Sequence, residues 1–112
     1  MMHVTHEGRI VINELEVASS FAQRCKGLLG RASLAIGRGL WIQSCNSIHT
    51  FFMRFPIDAV FVDSSMRIVY IYRNLPPWRI TLPRLKATSV IEVAAGTIPS
   101  TLNPGDQLHV ES

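Results

Sequence analysis

The sequence predicts a mainly β, single-domain protein: a compact antiparallel sandwich or barrel of about seven short strands, with one short helix over one side. Hydrophobic residues make up 47% of the 112 residues and charged residues 17%, which is ample for one buried core. Segments rich in β-branched and aromatic residues recur between turn signals. Only one segment has helical spacing, so the chain lacks the crossover helices that a parallel α/β sheet needs.

The N-terminal third predicts one strand and the only helix. We place the domain over residues 1–112, with its core at 8–111 and a flexible segment at 1–7. GRIVINELEV (8–17) is rich in β-branched residues and predicts a strand. Ser20 and Gln23 form the S-x-x-Q pattern of a capping box. Apolar residues then follow at helical spacing: Phe21, Cys25, Leu28 and Leu29. We expect a helix of about two turns capped by Gly30, with Gly27 inside it packed closely on the sheet.

The remaining strands are predicted from apolar runs bounded by turn signals: 39–43, 48–55, 57–63, 66–73, 88–96 and 107–111. Asn103-Pro104-Gly105-Asp106 is a strong turn sequence before the last of them. The proline-rich segment 74–87 is predicted to be a surface excursion, because proline cannot donate to a sheet ladder.

The distribution of charge indicates what could bind. The net charge is +3, and no acidic residue lies between Asp63 and Glu92, although Arg67, Arg73, Arg79, Arg84 and Lys86 do. This asymmetry predicts a face of positive potential. The partners we expect are an anionic small molecule or an acidic protein surface. Tyr70, Tyr72 and Trp78 interleave with the basic residues in a way that also occurs in nucleic-acid binding, which we consider the less favoured interpretation.

Several function classes lack their sequence signals. No apolar run approaches the roughly 20 residues of a membrane span, and no secretory signal is evident, so we expect a cytoplasmic protein. Two cysteines suit a reducing compartment, although the sequence leaves open whether Cys25 and Cys45 pair. There is no nucleophile elbow and no phosphate-binding glycine loop. His3 with His6 and Cys45 with His49 are poorly spaced for zinc, so we predict neither metal nor cofactor.

The segment CNSIHTFFMRFPIDAVFVD (45–63) combines the densest run of large apolar side chains with His49, Arg54 and Asp58. If 57–63 is a strand, Asp58 faces inward with its apolar neighbours and needs partners. One interpretation makes Arg54 and Asp58 a satisfied polar pair at a sheet corner around Pro56. The alternative places His49, Arg54 and Asp58 around a shallow cleft, with His49 or Asp58 as general acid or base.

Several segments together resemble one family. Arg24 with GLLGR (27–31) resembles an R-x-x-G-L-x-x-R element, and GLWI (39–42) is similar to a G-M-L-F step. FFMRFPIDAVFVD (51–63) resembles the most characteristic motif, an aromatic-Met pair followed by P-I-D and a hydrophobic strand that ends in Asp. VIEVAAG (90–96) and Gly105-Asp106 match the closing elements. The family is the domain of unknown function 192, and the resemblance spans roughly residues 10 to 110.

The resemblance implies a compact β-rich domain with a short helix, and it implies no activity. The positions that match its polar motif are Arg24, Arg31, Met53, Pro56, Asp58 and Asp106. The chain departs from many relatives at Arg54-Phe55, where they carry a Lys-Asn-Thr-like stretch. We further expect Arg24 to reach Asp58 or Asp63, because a buried guanidinium needs a carboxylate partner.

Two functional hypotheses follow from these residues. The first is a small binding or accessory module with a groove near the Arg54-Pro56-Asp58 corner and the basic, aromatic segment 67–86. The alternative is a small enzyme that uses Asp58 or His49 as general acid or base on an anionic small molecule. Candidate binding residues are Arg24, Arg31, Arg54, Asp58, Trp78 and Arg79.

Overall fold

The computed structural model describes residues 2–112, except for the side chains of Phe21, Cys25 and Lys26. The elements in chain order are β1 (Met2–His6), β2 (Arg9–Ala18), α1 (Phe21–Lys26), β3 (Arg38–Gln43), β4 (Ile57–Val62), β5 (Ile68–Leu75), β6 (Ser89–Ala94) and β7 (His109–Glu111). The strands form one seven-stranded sheet in the order β5-β4-β6-β3-β2-β1-β7, which curls into a half-barrel. The prediction of a mainly β fold with one short helix is confirmed.

The sheet is mixed rather than purely antiparallel. β2 and β3 pair in parallel, whereas the other neighbouring pairs are antiparallel. The connection between β2 and β3, residues 19–37, carries α1. It is long enough to return the chain to the end of the sheet where β2 begins, as parallel pairing requires. This crossover was not predicted from the sequence, because most of the connection is loop rather than helix.

Helix α1 begins as predicted and ends earlier. Ser20 accepts a hydrogen bond from the amide of Gln23, and the Gln23 side chain returns to the Ser20 amide, which completes the capping box. The helix stops at Lys26 because Gly27 adopts φ +48°, so Gly27 is its C-cap and not an interior residue. The expected second turn up to Gly30 is absent from this helix.

Two segments differ from the prediction in opposite ways: one expected to be flexible is a strand, and one expected to be a strand is mostly loop. Met2–His6, expected to be flexible, forms β1 between β2 and β7, and Val4 in it is fully buried. Segment 48–55, expected to be a strand, makes one isolated bridge, His49 with Ile80, before Phe52 turns the chain with φ +65°. The first difference arises because β7 supplies a partner from the far end of the chain.

The core is divided in two by β4 and β6, in which every residue is buried. One cluster packs between this pair and β1 and β2, and it includes Val4, Ile12, Val60, Ile91, Val93 and Leu102. The other packs below α1 and includes Leu28, Ile42, Ile48, Met53, Phe61 and Val90. Antiparallel pairing sets Ala59 opposite Glu92 and Asp58 opposite Val93. Asp58 and Glu92 therefore point to opposite faces of the sheet.

Among residues 2–112, the structure contains no helix long and apolar enough to cross a membrane.

Candidate functional site

A pocket of about 390 Å³ opens above the second core cluster, between the end of α1, the end of β3 and the segment that follows β3. Its lining is mostly apolar, with a few polar groups: Arg24, Gly27, Leu28, Leu29, Ile42, Ser44, Cys45, Ser47, Ile48, His49, Met53 and Glu92. A volume of this size, with few convergent polar groups, is typical of a small-molecule site.

Glu92 forms the floor of the pocket. It lies in the middle of β6 and is 3% exposed, because its strand is covered on both faces. Its Oε1 is buried and has no hydrogen-bond partner among the described residues. Burial raises the pKa of Glu92 to about 8, so the carboxyl is mostly protonated at neutral pH. Glu92 is thus available as a neutral hydrogen-bond donor toward the pocket.

Arg24 approaches the same space from α1. Its Nε is buried and has no partner among the described residues, and none of the ion pairs in this part of the chain includes it. The pocket therefore contains two buried polar atoms, Nε of Arg24 and Oε1 of Glu92, that the described protein groups leave unsatisfied. Such atoms are uncommon in folded proteins and call for an explanation.

Cys45 lines the pocket as a free thiol. Its Sγ donates a hydrogen bond to the carbonyl of Ser47 at 2.9 Å, and its amide donates to the carbonyl of Thr88 at 3.0 Å. Burial raises the pKa of Cys45 above its ordinary value, although the backbone hydrogen bond with Ser47 acts in the opposite direction. The thiol form is therefore favoured, which makes Cys45 a polarizable wall of the pocket and a poor nucleophile at neutral pH.

His49 and Met53 complete the rim. Met53 is buried, and its amide donates a hydrogen bond to the carbonyl of Thr50. His49 is exposed and stacks on Phe51 with 5.2 Å between ring centroids, and its Nδ1 accepts a hydrogen bond from the amide of Phe51. Within residues 2–112, excluding the three undescribed side chains, His, Cys, Asp and Glu form no cluster of three that could hold a metal.

Asp58 occupies a different environment. It accepts hydrogen bonds from the amides of Asn74 (2.9 Å), Gly96 (3.1 Å) and Ile98 (3.3 Å). It borders a second, more open depression on the other side of the sheet. No arginine among the described residues lies within 4.0 Å of its carboxylate, so the expected pairing with Arg24 is wrong. Backbone amides replace the guanidinium, because an irregular part of β5 and the loop after β6 point three N–H groups at one carboxylate.

Arg73, which borders the same depression, also bonds to the backbone. Its guanidinium donates to the carbonyls of Ile98, Pro99 and Leu102 at 2.8–3.0 Å. The expected polar pair of Arg54 and Asp58 does not form either, since Arg54 is exposed and makes no ion pair in the described part of the chain. Asp58 and Arg73 instead connect β4 and β5 to the loop that follows β6.

The other candidate binding residues lie apart from the pocket. Arg31 pairs with Glu16 at 3.2 Å, where both side chains are partly exposed. Trp78 packs against Phe52 with 4.7 Å between ring centroids, and Arg79 is exposed beside it. The structure therefore brings Arg24 and His49 to the pocket, and it places Asp58, Arg31, Arg54, Trp78 and Arg79 elsewhere.

Glu92 was not among the site residues predicted from the sequence. Cys45 was considered together with His49 as a poorly spaced metal ligand. The available signal for Glu92 was an acidic residue inside the otherwise apolar run VIEVA (90–94), which is unusual for a strand buried on both faces. The signal for Cys45 was weaker, because a buried cysteine behaves as a small apolar residue in most proteins.

The fold resembles two solved structures. One is a proposed transcription regulator from Sinorhizobium meliloti, with a TM-score of 0.84, 25% identity and coverage of 97% of this chain and 91% of that one. The other is a protein of unknown function from Novosphingobium aromaticivorans, with a TM-score of 0.77, 23% identity and coverage of 96% and 82%. The second likeness concerns the fold alone.

Sequence comparison gives relatives in archaea. A UPF0127 protein of Pyrococcus horikoshii is 36% identical over 100 residues, which cover 85% of each chain. A UPF0127 protein of Pyrococcus furiosus is 31% identical over 112 residues, which cover 96% of this chain and 95% of that one. A longer UPF0127 protein of Thermococcus sibiricus is 31% identical, and the match covers 62% of its length. The family model described as DUF192, uncharacterized ACR, matches residues 2–110. The chain belongs to the DUF192 family, as the motifs from Arg24 to Asp106 had suggested.

Proposed function

We propose that this domain is a binding module for a small, mostly apolar molecule with a carboxylate head. The observation that carries the proposal is the convergence of two unsatisfied buried atoms, Nε of Arg24 and Oε1 of Glu92, on one apolar pocket. A bound ligand that satisfies both atoms would remove the cost of leaving them without partners.

The protonation states determine the chemistry of the ligand head. Arg24 can only donate, and Glu92 with a pKa of about 8 carries a proton at neutral pH and donates as well. Two donors select a group that accepts hydrogen bonds and carries negative charge. A carboxylate satisfies both conditions, in keeping with the anionic small molecule expected from the sequence.

The apolar lining determines the body of the ligand. Leu28, Leu29, Ile42, Ile48 and Met53 surround the polar pair, so an aliphatic chain or a small ring system would gain from burial. Cys45 adds a polarizable, protonated thiol to the same wall. The composition of the chain, with two cysteines in all, is in keeping with a reducing compartment such as the cytoplasm.

The hypothesis of an acid–base enzyme has narrower support. His49 reaches the pocket and could exchange a proton with a ligand there, whereas Asp58 lies on the other face of the sheet. The groove first expected at the Arg54-Pro56-Asp58 corner has the same difficulty, because Asp58 already accepts three amide hydrogen bonds. Binding in the pocket over Glu92 needs neither arrangement.

Titration with octanoate, followed by the melting temperature and by NMR shifts, tests the proposal. We expect octanoate to bind, and octylamine and octanol of the same chain length to bind at least about tenfold more weakly, because they lack the charged acceptor. Affinity should decline by about tenfold per pH unit above pH 8, because ionised Glu92 repels a carboxylate.

Arg24→Gln provides the matched test of the head group. It should weaken octanoate binding by about tenfold or more, because it removes a charged donor. Arg31→Gln is the control, since Arg31 is a nearby arginine that already pairs with Glu16 outside the pocket. Equal binding of octylamine and octanoate, or equal losses in the two arginine variants, would contradict the proposal.

A further inference from the structure

An exposed apolar surface lies outside the pocket and has no part in the proposed function. It consists of side chains that remain highly accessible: Phe51 (37%), Phe52 (69%), Trp78 (56%), Ile80 (73%) and Leu82 (75%). We call these residues the apolar patch. Exposed apolar residues in such a group mark an interaction site more often than a passive surface.

Two segments, 48–55 and 78–82, carry the apolar patch and pair with each other. The amide of Thr50 donates to the carbonyl of Arg79 at 2.8 Å, and the amide of Thr81 donates to the carbonyl of Ile48 at 2.9 Å. Because side chains alternate along extended backbone, Ile48, Thr50 and Thr81 face the core and are buried. Their neighbours, His49, Phe51, Ile80 and Leu82, are left on the outside.

The aromatic residues of the patch hold one another in place. Trp78 lies 4.7 Å from Phe52 and 6.0 Å from Phe51, measured between ring centroids. Phe52 and Trp78 both have positive φ, +65° and +66°, which sets each side chain at a sharp turn. Backbone strain of this kind persists only where the surroundings fix it, so the aromatic tips are held outward by the fold.

The charged residues in and next to the segments that carry the patch are all basic. Arg54 and Arg79 are exposed within the two segments, and Lys86 is exposed just beyond them. No acidic residue occurs in residues 17–57 or 64–91, which contain the whole patch. The complementary partner is therefore an anionic surface.

We propose that the apolar patch docks on the surface of an anionic lipid bilayer. Trp78, Phe51 and Phe52 would enter the interface between headgroups and acyl chains, where tryptophan and other amphipathic side chains are enriched. Arg54 and Arg79 would contact lipid phosphates, an attraction that acts within a Debye length of the membrane. The patch inserts side chains into the interface and does not span the bilayer.

The shape and occupancy of the patch favour lipid over a macromolecular partner. Ile80 and Leu82 are 73% and 75% exposed and lie outside the pocket over Glu92, which suits insertion into a fluid interface. Nucleic acid would need open aromatic faces for its bases. Arg84 covers the ring of Tyr70 at 3.7 Å, so this aromatic face is already in contact with protein.

Tryptophan fluorescence and vesicle sedimentation test the proposal directly. The chain has two tryptophans, and Trp41 is held inside the sheet by a hydrogen bond to Ser89, so Trp41→Phe leaves Trp78 as the reporter. With vesicles of phosphatidylcholine and phosphatidylglycerol, we expect a blue shift of Trp78 emission and cosedimentation. Both effects should weaken with added salt and with vesicles of phosphatidylcholine alone.

Matched variants distinguish binding through the apolar patch from nonspecific hydrophobic adsorption. Ile80→Ser with Leu82→Ser should lower the partition coefficient by about a hundredfold, because two exposed apolar side chains are lost. The control is Ile10→Ser with Ile36→Ser, two exposed isoleucines outside both segments, which should partition like the parent protein. Circular dichroism checks that all variants fold.

Three outcomes would overturn the proposal. The first is an unchanged Trp78 emission and no cosedimentation with anionic vesicles. The second is an equal loss of binding in the control pair. The third is a Trp78 shift with polyglutamate or single-stranded RNA and none with vesicles, which would assign the patch to an acidic protein or to nucleic acid.

Discussion

Asp58 and Glu92 lie on the neighbouring strands β4 and β6, and their side chains are 2% and 3% exposed, yet their surroundings are opposite in kind. Asp58 accepts three hydrogen bonds from backbone amides. Glu92 keeps Oε1 without a partner among the described residues and has a pKa raised to about 8. Equal burial thus accompanies two different hydrogen-bond environments.

The difference follows from where the strands place each residue. Asp58 is near the start of β4, next to a register irregularity in β5 at Asn74 (φ +53°) and a turn after β6 at Gly96 (φ +90°), both of which direct amides toward it. Glu92 is in the middle of β6, where the strand amides are used by pairing with β3 and β4. A buried acid at a strand end can be stabilised by loops, whereas one in mid-strand depends on side chains or a ligand.

The largest effect on stability is expected when the carboxylate of Asp58 is removed. Asp58→Asn should lower the free energy of unfolding by about 3 kcal/mol, because it replaces a charged acceptor by an amide whose N–H₂ opposes donor N–H groups. Urea denaturation measures the change. Asp63→Asn is the control, since Asp63 is half-buried and accepts its two amide hydrogen bonds through Oδ1 alone. A loss at Asp58 no larger than at Asp63 would refute its structural role.

The next effect is the pH dependence of stability that the buried carboxyl of Glu92 causes. Folding raises the pKa of Glu92 from 4.5 to about 8, so the folded state binds more protons than the unfolded state between these values. Stability should therefore be greatest below pH 4.5 as far as Glu92 contributes, and it should decline by about 3–4 kcal/mol between pH 5 and pH 8. Glu92→Gln should lose this decline and be more stable than the parent protein at pH 8.

Urea denaturation of both proteins at pH 5 and pH 8 measures the Glu92 effect, because other titrating groups cancel in the difference. Glu16→Gln is the control, since Glu16 is exposed and paired with Arg31. Parallel pH profiles for the parent protein and Glu92→Gln would show that Glu92 does not carry a raised pKa. A stabilising substitution in a pocket would fit a residue retained for binding rather than for folding.

The sequence predicted most of the fold because its strands are short, β-rich and bounded by turns. It failed where the decisive partner was distant in the chain. β1 depends on β7, and nothing in the first seven residues indicates that pairing. Segment 48–55 has the composition of a strand, but its partner at 78–82 offers only a few extended residues before both chains turn.

The candidate site was less predictable for a related reason. Asp58 was correctly expected to face inward and to need partners. Its partners are backbone amides, and because every residue except proline has one, the sequence does not indicate which amides will bind. Glu92 was interpreted only as part of a strand, although an acid between isoleucine and valine in a buried run is an anomaly. Arg24 was expected to seek a carboxylate, and its position on the lining of the same pocket as Glu92 depends on the short helix α1.

The smallest change that tests the contrast is at Gly27, which ends α1 beside Glu92. Its backbone, with φ +48° and ψ −127°, suits glycine alone, and a Cβ there would lie 3.4 Å from Oε1 of Glu92. Gly27→Ala should lower the free energy of unfolding by about 1–3 kcal/mol through backbone strain. Its methyl group should also cover Oε1 and weaken octanoate binding.

Gly30→Ala is the control for Gly27→Ala, because Gly30 also has positive φ, +80°, but a Cβ there meets no atom within 4 Å. We expect Gly30→Ala to cost about 1 kcal/mol of stability and to leave octanoate binding unchanged. Urea denaturation and octanoate titration of both variants give the comparison. If the two alanines weaken binding equally, the loss reflects strain in the connection after α1, and Oε1 of Glu92 is not the contact that the ligand uses.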